Sequence, residues 1–193
     1  ETFERVNQNL RYRGRIRFRN HYHSSFDFTK NEIKAERKRS YYGSFTHFKK
    51  ALLSNKLRKE GFRIYETKSL RYSKLKKIQA IDEKDVLVFK GKNWELGFNN
   101  YLLVEYMKER ESPNFLMDAE FSSILYEDFI HDDKISRQPS KQVSILKLLD
   151  GPVELDLNGQ IINKFAMTSY GYWSWERLAN LVPLNYDPKF DNF

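Results

Sequence analysis

The sequence contains no cysteine. That excludes a disulfide scaffold, a cysteine-ligated zinc site and thiol catalysis, and it suits a periplasm and a reducing cytosol equally. No run of about 20 apolar residues occurs, so no segment reads as a membrane-crossing helix. Val86-Leu87-Val88-Phe89 is typical of the longest apolar stretches. With eight glycines and five prolines in 193 residues, collagen-like and low-complexity classes are excluded. There is no glycine-rich phosphate loop, and no cofactor is expected. The chain opens at Glu1 with no signal-peptide pattern, as a processed product or an excised piece would.

Rings and charge are abundant. Fifteen Phe, twelve Tyr and three Trp supply material for a core where aliphatics are modest, and 31% of residues are charged. The formal net charge is +8, unevenly spread: residues 1–80 are strongly basic and residues 81–193 net acidic. Such a split points to an anionic partner or to one half neutralising the other.

Arginine occupies positions 11, 13, 15, 17 and 19, with Leu10, Tyr12, Ile16 and Phe18 interleaved. Period two puts Arg11, Arg13, Arg15, Arg17 and Arg19 on one face of a strand and the apolar set on the other. Such a row can grip lipid or lipopolysaccharide phosphates, or pair with acids on a neighbouring strand. Nucleic acid is disfavoured as its partner, because the rings point away from the guanidiniums.

Thr29-Lys-Asn-Glu32 has the form of a capping box and opens a short polar helix. Ser44 is placed to cap a second helix over 45–60, with Phe45, Phe48, Ala51, Leu52 and Leu57 as its stripe and Gly61 ending it. Strands are expected at Phe62–Lys68, Asp85–Phe89, Trp94–Phe98, Tyr101–Met107 and Phe121–Glu127. Residues 131–141 read as a polar loop. Val143–Leu149, Val153–Leu157 and Gln160–Asn163 form a meander, with Asn158-Gly159 as a hairpin turn. Trp175, Leu178, Ala179 and Val182 mark a last helix over Ser174–Val182, stopped by Pro183. The expectation is one α+β domain spanning 1–193: a mostly antiparallel sheet of about nine strands with two principal helices packed on it.

Two groups of residues carry a family resemblance. Tyr41-Tyr42-Gly43-Ser44, His47-Phe48 and Glu60-Gly61-Phe62 form the first, and Gly171-Tyr172-Trp173, Trp175-Glu176-Arg177, Ala179 and Leu181-Val182-Pro183 the second, followed by Tyr186 and Pro188. Together they resemble the carboxypeptidase-like regulatory domain proteins of Bacteroidota. The β-sandwich that names that family, which lies N-terminal to this region, is absent. The resemblance therefore implies the second module of a longer exported protein at the periplasm or outer membrane. It also implies protein partners, including an outer-membrane complex. It carries over no catalytic residue.

The chemistry-bearing residues are sparse. The histidines are 21, 23, 47 and 131, and none has the His-x-x-Glu spacing of a zinc peptidase. His21 and His23 are the one metal-like pair, with Asp27 or a distant carboxylate as third ligand; exposed histidines in a polar turn explain them as well. Ser44 and His47 suggest a nucleophile and base, but Ser44 is better used as a cap. The acid pairs Glu127-Asp128 and Asp132-Asp133 read as solvated. Trp175 reads as core, and Trp173 as core or as an aromatic contact. The expected function is a non-enzymatic envelope module that docks to protein. The alternative is a metal-dependent hydrolase acting on envelope polymers.

Overall fold

The computed structural model describes residues 2–6, 9–13, 29–75, 78–127, 130–131, 134–135, 140–163, 165–176, 181–183 and 185–190. The chain opens with β1 (Thr2–Val6) and β2 (Asn9–Arg13), an antiparallel ribbon. Helix α1 (Lys30–Tyr41) follows. Its capping box forms as the sequence indicates: Thr29 Oγ1 accepts from the Glu32 amide, and the Glu32 carboxylate accepts from the Thr29 amide at 2.7 Å.

The helix expected over 45–60 is two helices, α2 (Phe45–Leu53) and α3 (Leu57–Glu60). The break is a Schellman motif with asparagine at its left-handed position. Asn55 has φ 55°, its amide donates to Leu52 O, and the Lys56 amide donates to Ala51 O at 2.8 Å. Gly61 ends α3 at φ 97°, as expected.

Strand β3 (Phe62–Thr67) leads through a 3-10 turn at Tyr72–Leu75 to α4 (Glu83–Val86), β4 (Leu87–Lys90), β5 (Asn93–Leu96) and β6 (Tyr101–Tyr106). Residues 85–86 were expected to open the strand. They instead close one helical turn, which Asp82 and Asp85 cap reciprocally.

Next come α5 (Pro113–Met117) and α6 (Ala119–Tyr126). The strand expected at Phe121–Glu127 is therefore a helix. Its buried residues, Phe121, Ser122, Leu125 and Tyr126, follow helical spacing, and alternation was the wrong period. Part of the expected loop 131–141 pairs as β7 (Ile130–His131) and β8 (Lys134–Ile135). The chain continues with β9 (Gln142–Leu148), β10 (Val153–Leu155), β11 (Met167–Gly171) and α7 (Tyr172–Glu176). The third strand of the expected meander reduces to a bridge between Leu155 and Ile161. The last helix starts earlier than expected, at Tyr172, and Leu181–Pro183 carry no helix.

The class is α+β, and every pairing among the described residues is antiparallel. In place of about nine strands and two principal helices, the described residues hold a four-stranded sheet (β11-β9-β6-β3), a three-stranded sheet (β10-β5-β4), two ribbons and seven α-helices.

Both faces of the four-stranded sheet are covered. Phe62, Ile64, Leu102, Val104, Tyr106 and Leu146 share one core with Phe48, Ala51 and Leu52 of α2 and with Leu87, Leu96, Val153 and Leu155 of the small sheet. Leu103, Val143 and Ile145 face the other way and share a second core with Phe115, Phe121, Leu125, Tyr126 and Tyr172. This two-sided burial is why β6 and β9 read as continuous apolar runs. Each fully buried Leu or Phe contributes about 2 kcal/mol.

Gly171 marks where the second layer comes closest. Its φ is +78°, and a Cβ there would sit 2.5 Å from Leu125 Cδ1 and 2.7 Å from Val143 O. Gly171→Ala is expected to lose about 3 kcal/mol or more of stability through left-handed strain and overpacking, measured by urea unfolding.

Candidate functional site

The residues of the family-like boxes lie far apart in sequence and meet at one peptide unit. Ser44 caps α2, its Oγ accepting from the His47 amide at 3.2 Å. Gly43, just before it, has φ +76°, and a Cβ there would lie 2.3 Å from Gln142 Oε1 and 2.8 Å from Tyr106 Cδ1. Its N–H donates to His47 Nδ1 at 3.2 Å. Its carbonyl accepts from Trp173 Nε1 at 2.7 Å, and the Trp173 amide donates in turn to Ser144 Oγ on β9.

Because Nδ1 is an acceptor, the proton of neutral His47 is on Nε2, which faces Glu60 Oε2 at 3.3 Å. The imidazole is only 2% exposed and is boxed by Tyr41, Tyr42, Phe62 and Tyr106, with ring centroids 4.8 to 5.8 Å away. Trp173 lies against Phe45 and Phe48 at 5.1 and 5.2 Å, and Phe48 meets Phe62 edge-on. Burial pushes the His47 imidazole below its ordinary value, against the opposing pull of Glu60.

The structure thus brings together Tyr42, Gly43, Ser44, His47, Phe48, Gly61, Phe62 and Trp173. Trp175 lies in the other core, beside Phe115 and Tyr172, as its reading as core requires. Pro183 sits at the chain's end, where Val182 packs with Tyr41 and Tyr186. Arg177 lies outside the described residues.

Ser44 and His47 are not joined as nucleophile and base. Both ring nitrogens are engaged elsewhere, and Ser44 Oγ meets the His47 backbone. In the arginine row, Arg11 and Arg13 lie on β2, with Glu4 and Thr2 as their cross-strand partners in register. Arg15, Arg17, Arg19, His21 and His23 fall outside the described residues. Among the described residues no group of three or more His, Asp or Glu could hold a metal ion. A depression of about 620 Å³ is lined by Lys50, Leu53, Ser54, Leu157, Asn158, Gln160 and Asn185, away from the boxes.

Sequence reasoning missed a polar network on the opposite face. Glu105, 4% exposed on β6, accepts from the Tyr65 and Tyr72 hydroxyls at 3.1 Å each and pairs with Lys141 at 2.5 Å. Glu111, 2% exposed, accepts from the Tyr126 hydroxyl and the Val143 amide. A signal for the first was present: one carboxylate within Leu102-Leu103-Val104-Glu105-Tyr106 is a charge inside an apolar strand, which requires partners. Lys49 was also missed. It is 7% exposed with its ammonium 4.9 Å from the Phe45 ring centroid, and burial pushes it down to about 8.

No family model, no curated protein and no solved structure matches this chain.

Trp173→Phe removes the donor to the buried Gly43 carbonyl and is expected to cost about 1–3 kcal/mol in urea unfolding, with the helical circular dichroism retained. His47 has a separate signature. Unfolded, it takes up a proton near 6.5; folded, it resists one. Its contribution to stability is therefore present above that pH and is lost as pH falls below it. Relative to wild type, His47→Gln is expected to lose less stability between pH 7 and pH 5 in parallel denaturation series.

Proposed function

We propose that this chain is a non-enzymatic docking module of the cell envelope, and that it recruits a partner protein by strand addition to the open edge of its small sheet. The observation that carries the reading is β4. In the order β10-β5-β4 it is an edge strand, and no described strand pairs with its outer side. Val88 and Phe89 are 53% and 49% exposed. Being consecutive, they project from opposite faces of the strand.

The register tells which amides are available. Gly97 N donates to Val86 O at 2.8 Å, and Gly91-Lys92 join Lys90 directly to Asn93 in a two-residue hairpin. Val88 and Lys90 therefore turn their amides toward β5, while Leu87 and Phe89 turn theirs outward. The Leu87 N–H is taken by Glu83 O, which leaves the Phe89 peptide groups and the Leu87 carbonyl as the template for an incoming strand. Phe89 is stiffened by Trp94, with ring centroids 5.0 Å apart, so the edge is pre-organised for contact.

Two further points support a docking role. Ser44 and His47, the residues best suited to chemistry by type, are committed to capping and packing. The envelope location follows the family resemblance, and in this reading the arginine row faces anionic groups of the membrane surface as a secondary contact.

Phe89→Pro tests the edge directly. Proline there removes an outward N–H and no bond of the existing sheet, so the fold is retained while strand addition is blocked. In a pull-down from native membranes read by mass spectrometry, proteins recovered by wild type are expected to be lost with Phe89→Pro. They are expected to be kept with Met117→Lys, a change at a 70% exposed position on α5. Equal recovery by both variants would sink the reading.

A further inference from the structure

The layer formed by α5, α6 and α7 is joined to the four-stranded sheet through a carboxyl that has nowhere to place a charge. Glu111 is 2% exposed. Its Oε1 takes both donors, the Tyr126 hydroxyl at 2.8 Å and the Val143 amide at 2.9 Å. Its Oε2 is buried without a hydrogen-bond partner. One oxygen accepting twice and the other with no partner leaves part of a charge unsolvated, which favours the neutral acid over the carboxylate.

Among the described residues the surroundings offer no free countercharge. Tyr126 of α6 and Tyr72 of the 3-10 turn approach as phenols, their own rings edge-to-face with centroids 5.7 Å apart. From α7 come Tyr172 and Glu176, from the same loop Glu109, and from β6 Glu105. The ammonium of the network, Lys141, is bound to Glu105 and lies over the Tyr72 ring.

We propose that α6 is latched to the four-stranded sheet by the proton on Glu111: the acid is neutral while the helix is docked, and it ionises when the layer opens. A buried ion without a partner costs several kcal/mol, and moving Tyr126 outward admits the water that would solvate it. Glu111 binds α6 to β9 because its one accepting oxygen holds a side chain of the first and an amide of the second. Burial pushes its carboxyl up to about 8, against the two hydrogen bonds, which favour the charged form. Glu176 is pushed up to about 8 as well, by burial and then by Glu109, so the neighbourhood as a whole repels negative charge.

The direction of the pH effect follows. An opened layer exposes a carboxyl that ionises near 4.5, while the docked one stays protonated up to about 8. Docking therefore takes up a proton throughout that window and weakens as pH rises through it, levelling off above 8.

The test is hydrogen exchange on the α6 amides, corrected for intrinsic rates, together with a carbon-13 carboxyl titration of glutamate-labelled protein. Protection of α6 is expected to fall as pH rises from 5.5 to 7.5, and the fall is expected to be shallower by about tenfold per pH unit in Glu111→Gln than in wild type. The carboxyl resonance missing from Glu111→Gln is expected to titrate above pH 7. Should that variant fail to fold, Tyr126→Phe replaces it; losing the hydroxyl donor moves the high-pH carboxyl midpoint further up. A Glu111 midpoint below 5.5, a midpoint that Tyr126→Phe does not move, or α6 protection independent of pH in wild type would each overturn the latch.

Discussion

The peptide unit of Gly43 is the constraint from which the first core is organised. It lies between α1 and α2, where no helix or strand supplies partners for its N–H and C=O. A buried peptide must still satisfy both groups. Here two side chains do so, His47 from within the following helix and Trp173 from 130 residues further on. No side chain is tolerated at position 43, since Gln142 and Tyr106 occupy the space a Cβ would need. His47 is thereby fixed in one tautomer and reaches Glu60, the last residue of α3, beside the Gly61 turn into β3. One glycine thus ties α1, α2, α3, β9 and α7 to a common point, and the aromatic box around His47 fills the remaining space.

The opposite face of the sheet obeys a different rule. There the sheet meets α6 through a glycine with no room for a methyl group, and its polar content is carboxylate: Glu105 compensated by an ammonium and two phenols, Glu111 by hydrogen bonds alone. Glu105 has an ammonium opposite it, whereas Glu111 has hydrogen bonds and no described countercharge. The two carboxyls, six residues apart, therefore give the second layer an ion-paired anchor and a proton-dependent one. The first layer is held by neutral rings and a neutral imidazole, and its pH dependence runs the other way: the contribution of His47 is lost as pH falls, not as it rises.

Features decided by a few neighbouring residues were legible in the sequence. The Thr29–Glu32 box, the Ser44 cap, the Gly61 terminator and the strand carrying Arg11 and Arg13 all form where local chemistry places them. The α+β class was legible for the same reason. Phe121–Glu127 was not, because a short apolar run has no period of its own until its surroundings choose one; packing against β11 makes it a helix. Asn55 was legible in principle, since asparagine is the residue after glycine most tolerant of left-handed backbone, but it was overridden by a stripe that continues to Leu57. The role of Trp173, the charge balance of Glu105 and the isolation of Glu111 depend on partners between 15 and 130 positions away, which no local pattern encodes.

The boxes that carry the family resemblance are, residue by residue, determinants of this fold. Gly43, Ser44, His47, Phe48, Gly61, Phe62 and Trp173 each have a structural task in this fold. A second chain sharing those boxes would be constrained to the same junction while remaining free in its choice of partner. Partner choice would then be written where the boxes are silent. The β4 edge is such a place: none of Leu87, Val88, Phe89 and Lys90 belongs to a box, the turn at Gly91 has open space around it, and the exposed side chains there can change without disturbing either core. In the docking reading, stability and recognition are thereby separated onto different sheets, the four-stranded one buried on both faces and the three-stranded one with no described strand on the outer side of β4.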